Sequence, residues 1–85
     1  MPEAKDAFFV EFRTTKGGDQ TVRLKEGENS VGRLSSADVM IDNPSISRHH
    51  AVIVVRGDTV LVRDAGSRNG TFVDEQKIEQ ETEVP

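Results

Sequence analysis

The feature that most restricts how this chain can fold is the kind of apolar side chain it carries. Val and Ile together number 15, against three Leu, and Trp and Tyr are absent. Branching at Cβ restricts χ1 in a helix and suits a pleated surface. The apolar residues also come in short runs. Phe8, Val10 and Phe12 alternate with polar neighbours, as do Val22 and Leu24, and residues 50–55 form a near-continuous apolar stretch. Turn formers interrupt these runs at residues 16–19, 26–29, 42–45, 56–58 and 65–70. A spacing of roughly 8–12 residues between turns belongs to a sandwich or barrel. Strands are therefore predicted over 8–13, 20–24, 30–34, 39–41, 50–55, 59–64 and 71–73, with a short last one at 76–78. The glycine at position 32 predicts a bend or a close backbone approach. A helical turn over 34–40 is the one alternative, too short to change the all-β class.

Eighty-five residues hold one domain with a modest core. Its expected limits are residues 7–79, followed by an acidic tail at 80–85. The absence of Cys excludes disulfide scaffolds, thiol nucleophiles and Cys-ligated metals. The charged start lacks the apolar run of a signal peptide, so a cytoplasmic protein is expected. Residues 1–73 carry 10 Lys/Arg and 10 Asp/Glu, which cancel. Residues 74–85 carry five acids against Lys77, so the whole net charge of −4 sits there. Neither nucleic acid nor an anionic membrane is an expected partner. No cofactor and no metal is expected. An anion must be held by a local set of donors.

Three loops supply such a set: Gly32-Arg33, residues 45–50, and residues 66–71. A phosphate ester brings close to two negative charges and three acceptor oxygens. A guanidinium meets two oxygens at once, a hydroxyl can donate to a third, and N–H groups of a glycine-rich turn complete the nest. Gly-Arg at 32–33, Ser-Arg-His-His at 47–50 and Asp-Ala-Gly-Ser-Arg-Asn-Gly-Thr-Phe-Val at 64–73 resemble the forkhead-associated (FHA) domain in content and order. Arg33 and Ser47 are 14 residues apart, and Ser47 and Asn69 are 22 apart. The resemblance covers about residues 8–78.

The resemblance implies an FHA-like (SMAD/FHA) β-sandwich of two antiparallel sheets whose loops bind phosphothreonine peptides at one end. It makes Arg33 the main phosphate clamp and Ser47 the hydroxyl donor, with Arg48 also at the phosphate. Asn69 is expected to hold the peptide main chain, with Arg68 and Ser45 as further peptide contacts. Ser45 and the 35–37 loop face the path of residues after the phosphothreonine. Gly32, His50 and Gly70 are expected to hold the loops. The expected function is a phosphothreonine-dependent protein- or peptide-binding module in Ser/Thr kinase signalling.

Two departures from the family pattern stand out. The second Asn-Gly turn is replaced by Asp74-Glu75, which must turn by other chemistry. Family domains also continue past the equivalent of Pro85 with further strands, so the last strands are expected to be missing or supplied by another chain. The alternative function is therefore an assembly module that dimerises or exchanges strands through an incomplete sandwich edge, with the Phe8–Phe12 strand as the unmet surface.

A catalytic reading fares worse. Ser47, His50 and Asp64 are the residue types of a nucleophilic triad, but there is no nucleophile elbow. No acidic or His cluster has metal-ligand spacing. His49 and His50 are adjacent on a strand and point to opposite faces, which predicts a structural His50 and a solvent-facing His49.

Overall fold

A computed structural model describes residues 8–13 and 18–85. The charged start at 1–6, the expected domain start at Ala7 and part of the expected turn at 16–19 lie outside those residues. The order is β1 (Phe9–Arg13), β2 (Asp19–Arg23), β3 (Gly27–Gly32), β4 (Val39–Met40), β5 (Ala51–Arg56), β6 (Thr59–Asp64), β7 (Phe72–Val73), β8 (Gln76–Lys77) and β9 (Thr82–Glu83). Among the described residues no helix is long and apolar enough to cross a membrane.

One layer is a five-stranded sheet in the order β4-β3-β5-β6-β9. The other is built from two ribbons, β1-β2 and β7-β8. β5 is the central strand of the sheet, paired antiparallel to β3 and to β6. Its apolar run is buried on both faces, as a near-continuous Val/Ile stretch requires. Ala51 and Val55 join the core cluster, while Val54, on the opposite face, is only 3% exposed. Leu24, Val31, Val39, Val62 and Ile78 complete that cluster. Phe8, Val10 and Phe12 pack against it and Phe9 points out, following the alternation in β1.

The large sheet is not antiparallel throughout, because β4 runs parallel to β3. The chain leaves β3 over the end of the sheet instead of reversing in a hairpin, and Ile41 N–H returns to Gly32 O at 2.9 Å. β3 also begins three residues before its expected start, within the expected turn at 26–29. β9 is unanticipated: Thr82 and Glu83 face Val62 and Leu61, and Val84 N–H donates to Val60 O at 2.8 Å. Segment 79–85 offers the core no alternating apolar pattern, so only backbone pairing marks the strand. The β7-β8 turn does use other chemistry. Asp74 and Glu75 both take positive φ, 50° and 69°, the two-residue hairpin geometry usually given to Asn-Gly.

Asn29 explains the early start of β3. It is 2% exposed, and a buried amide must be satisfied. Its Oδ1 accepts from Lys25 N–H at 2.9 Å. Its Nδ2 donates to Lys25 O at 3.0 Å, Gly27 O at 3.1 Å and Ile53 O at 3.1 Å. One side chain thus closes the β2-β3 bend and fastens it to β5, leaving residues 27–29 free to pair with residues 53–55. Asn29→Ala is expected to lower the unfolding free energy by about 1–3 kcal/mol, the cost of unsatisfied buried groups, read from urea midpoints at unchanged m-value.

Candidate functional site

Three loops converge at one end of the large sheet, and His50 joins them. It is 8% exposed. Its backbone N–H donates to Val31 O, and its backbone carbonyl accepts from Ala65 N–H, each at 2.9 Å. In the ring, Nδ1 accepts from Ser47 N–H at 3.1 Å. That donation fixes the tautomer: Nε2 carries the hydrogen and donates to Gly70 O at 2.9 Å. β3, the 45–50 loop and the 64–71 loop are therefore held at one residue. Gly32 permits the close approach beside it, since a Cβ there would overlap the carbonyl oxygen of Arg48. Gly70 has φ +90°, a conformation L side chains rarely adopt.

Asp64 shapes the third loop. Its carboxylate accepts from Gly66 N–H at 2.9 Å, Ser67 N–H at 3.0 Å, the Ser67 hydroxyl and the Thr71 hydroxyl at 2.7 Å. Ser67 Oγ in turn accepts from Gly70 N–H at 2.9 Å. Burial works to raise the Asp64 pKa, but the donations from Ser67, Thr71 and Gly66 outweigh it and hold the carboxyl at about 2.

Between the loops lies a cleft of about 410 Å³ lined by Arg33, Ser47, Arg48, His49, Ala65, Gly66 and Arg68. No carboxylate side chain lines it, and none of the described ion pairs involves its arginines. Arg33 is oriented by its own backbone and stem. Its N–H donates to Ser47 O at 3.1 Å and its Nε to Ile46 O at 2.9 Å, leaving both terminal nitrogens of the guanidinium for a ligand. Ser47 Oγ accepts from Arg68 N–H at 2.9 Å, leaving its own hydrogen to be donated.

Arg33, Ser47, Arg48 and Arg68 are thus brought to one cleft. Asn69 and Ser45 meet beside it: Asn69 Nδ2 donates to Ser45 O at 2.8 Å. The Ser45 hydroxyl is engaged in a local turn, donating to Asn43 Oδ1 at 2.8 Å. His49, expected to face solvent, is exposed and also lines the cleft. Asp64 and Thr71 were not picked out as loop organisers, although an Asp followed two to three residues later by Gly-Ser is a local turn signal. The nucleophilic triad does not form. His50 bonds the Ser47 backbone instead of its hydroxyl, and Asp64 bonds Ser67 and Thr71.

Comparison with known proteins agrees with this geometry. The FHA domain profile matches residues 29–85. The chain is 38% identical over 55 residues to the transcriptional regulatory protein EmbR of Mycobacterium tuberculosis, covering 65% of this chain and 14% of that protein. It therefore spans a small part of that regulator. A domain solved in a structural and functional analysis of phosphothreonine-dependent FHA domain interactions superposes with a TM-score of 0.77 at 31% identity. That match covers 92% of this chain and 80% of the other. Mycobacterium tuberculosis EmbR in complex with a low-affinity phosphopeptide superposes with a TM-score of 0.75 at 29% identity, covering 93% and 20%.

The Asp64 network makes loop stability depend on acid. A carboxyl held below its ordinary 3.8, at about 2, contributes stability that is complete above about pH 4 and is lost as the pH falls toward 2. Urea midpoints measured from pH 7 to 2 should be flat above pH 4 and drop below it. Asp64→Asn should lower the midpoint at neutral pH and shallow the acid drop.

Proposed function

Starting from the chain's membership of the FHA domain family, which the match over residues 29–85 establishes, we propose that it is a phosphothreonine-dependent peptide-binding module in Ser/Thr kinase signalling. The observation that carries this reading is the cleft itself: three arginines, free of ion pairs among the described residues, around a serine hydroxyl with its hydrogen to give. Uncompensated like charges at one spot oppose folding, and a dianionic ester relieves them.

Arg33 clamps two phosphate oxygens through its terminal nitrogens, Ser47 donates to a third, and Arg48 adds charge from the cleft wall. Asn69 keeps Nδ2 on Ser45 O and offers Oδ1 to a peptide N–H. Arg68 and Ser45 flank the peptide. Gly32, His50 and Gly70 act through the loops. Phosphothreonine is preferred over phosphoserine because burying one more methyl stabilises the complex by about 0.8 kcal/mol. The module works by equilibrium binding, switched by the charge that a kinase adds to the partner, and needs no chemistry of its own.

Isothermal titration with one peptide in phosphorylated and unphosphorylated forms tests this. Only the phosphorylated form should bind. Arg33→Ala should abolish binding without unfolding the domain, and Ser47→Ala should weaken it by about 1.5–3 kcal/mol, the scale of a hydrogen bond to a charged group. Equal affinity for the two peptide forms would reject the mechanism.

A second reading has its own observation. A groove of about 630 Å³ separates the β1-β2 ribbon from the sheet, lined by Phe8, Phe9, Phe72, Val84 and neighbours. Phe9 is 59% exposed and Phe72 56%. Among the described strands β1 pairs only with β2, and β9 only with β6, so each leaves one edge open to strand addition. A second copy filling this groove makes the domain an assembly module, with phosphate binding at the opposite task of partner choice. Light scattering after size exclusion should then give a dimer that Phe9→Glu with Phe72→Glu returns to monomer; a monomer at all concentrations removes this reading.

A further inference from the structure

A second, smaller hollow of about 280 Å³ adjoins the arginine cleft. Its lining includes Leu34, Ala37, Val52 and Ala65, and it shares Arg48, His49 and Ala65 with the cleft. Its origin is local. In the sheet register Val52 stands beside Ser30 on β3 and Arg63 on β6. The 33–38 loop then arches over the end of β3 and sets Leu34 and Ala37, both half-buried, beside it.

That wall is built before any ligand arrives. Asp38 anchors the loop to β3: its Oδ2 accepts from Ser30 N–H at 2.9 Å and from the Ser30 hydroxyl at 3.2 Å, and its own N–H donates to Ser30 Oγ at 2.9 Å. Lys25 Nζ holds Oδ1 at 3.3 Å. Ala37 N–H closes onto Leu34 O at 3.0 Å. The hollow is thus a fixed apolar surface with a cationic rim, and its volume suits one side chain better than a whole small ligand.

We propose that this hollow is a specificity subsite for an aliphatic side chain, Leu, Ile, Val or Met, of the same phosphorylated peptide. The inference rests on the phosphopeptide reading above. It goes beyond it by naming a class of flanking residue and the residues that select it. Continuity with the cleft identifies the occupant. Both hollows share a wall, so a peptide whose phosphate sits between Arg33 and Ser47 carries its neighbouring side chains across Arg48 and Ala65. An extended chain advances about 3.3 Å per residue, which places the selected position within about three residues of the phosphothreonine. A rim of Arg48 and His49 without a carboxylate tolerates the phosphate's charge next door, while the apolar floor rejects a charged or amide side chain.

The test uses the 85-residue chain and a phosphothreonine peptide set. Each position from three before to three after the phosphothreonine is fixed in turn as Leu, Ala or Gln, and affinities are read by fluorescence anisotropy. One position should favour Leu over Ala by about five- to tenfold, consistent with partial burial of one aliphatic side chain. In Ala37→Leu, which fills the hollow, and in Val52→Thr, which makes its floor polar, that Leu-to-Ala ratio should fall to about one. Amide NMR spectra check that both variants remain folded. Two variants of opposite design guard against a single misfolding failure. No aliphatic preference at any position, or a preference undiminished in both folded variants, overturns the subsite while leaving phosphopeptide binding intact. If the variants change only the discrimination between phosphothreonine and phosphoserine, the hollow serves the phosphorylated residue itself and the proposal fails. If no phosphorylated peptide binds, the reading beneath it fails too.

Discussion

Everything at the functional end depends on one buried imidazole. His50 takes Val31 O and Ala65 N–H with its backbone and Ser47 N–H and Gly70 O with its ring. The two ring bonds require opposite roles of the two nitrogens, so the neutral tautomer is built into the fold. A residue tied in four directions cannot shift without moving all three loops. This is why a chain with a small core can still present Arg33 and Ser47 in a defined relation. Preorganised donors lose little freedom when an anion binds.

The charge of the site is arranged by the same economy of contacts. Asp64 is the acid nearest in sequence to the cleft's third loop, and it is fully occupied by Gly66, Ser67 and Thr71. Its negative charge shapes the loop from behind instead of neutralising Arg68 in front. Arg63, on the sheet, pairs with Glu28 at 3.2 Å and Glu81 at 3.9 Å. The cleft arginines are left over from this pairing. Their repulsion is a modest cost in water, and it is the property that lets a net-acidic chain attract an anion locally.

Much of this was legible in the amino-acid sequence because it is carried by side-chain type. Val and Ile alternation marked β1, β2, β5 and β6, and the Arg-Ser-Asn order across three loops marked the pole. What stayed hidden is carried by geometry. β9 is held by backbone hydrogen bonds beside β6 and leaves no apolar signature in an acidic segment. The early start of β3 comes from an Asn29 side chain that reaches four residues back, where the sequence shows only turn-forming residues. The parallel placement of β4 follows from where the 33–38 loop crosses, which no periodicity encodes. His49 was read by strand alternation as solvent-facing; it is exposed, but the loop that carries it also makes it a wall of the cleft.

The central claim is that Arg33 and Ser47 grip a single phosphate at the loop end. Amide NMR during titration with a phosphothreonine peptide tests it most directly, because Arg33 N–H donates to Ser47 O and Arg68 N–H donates to Ser47 Oγ. The account predicts saturable shifts that are largest at Arg33, Ser47 and Arg68 and absent with the unphosphorylated peptide. Shifts confined to the groove beside β1 and β9, or the same shifts without the phosphate, would contradict it.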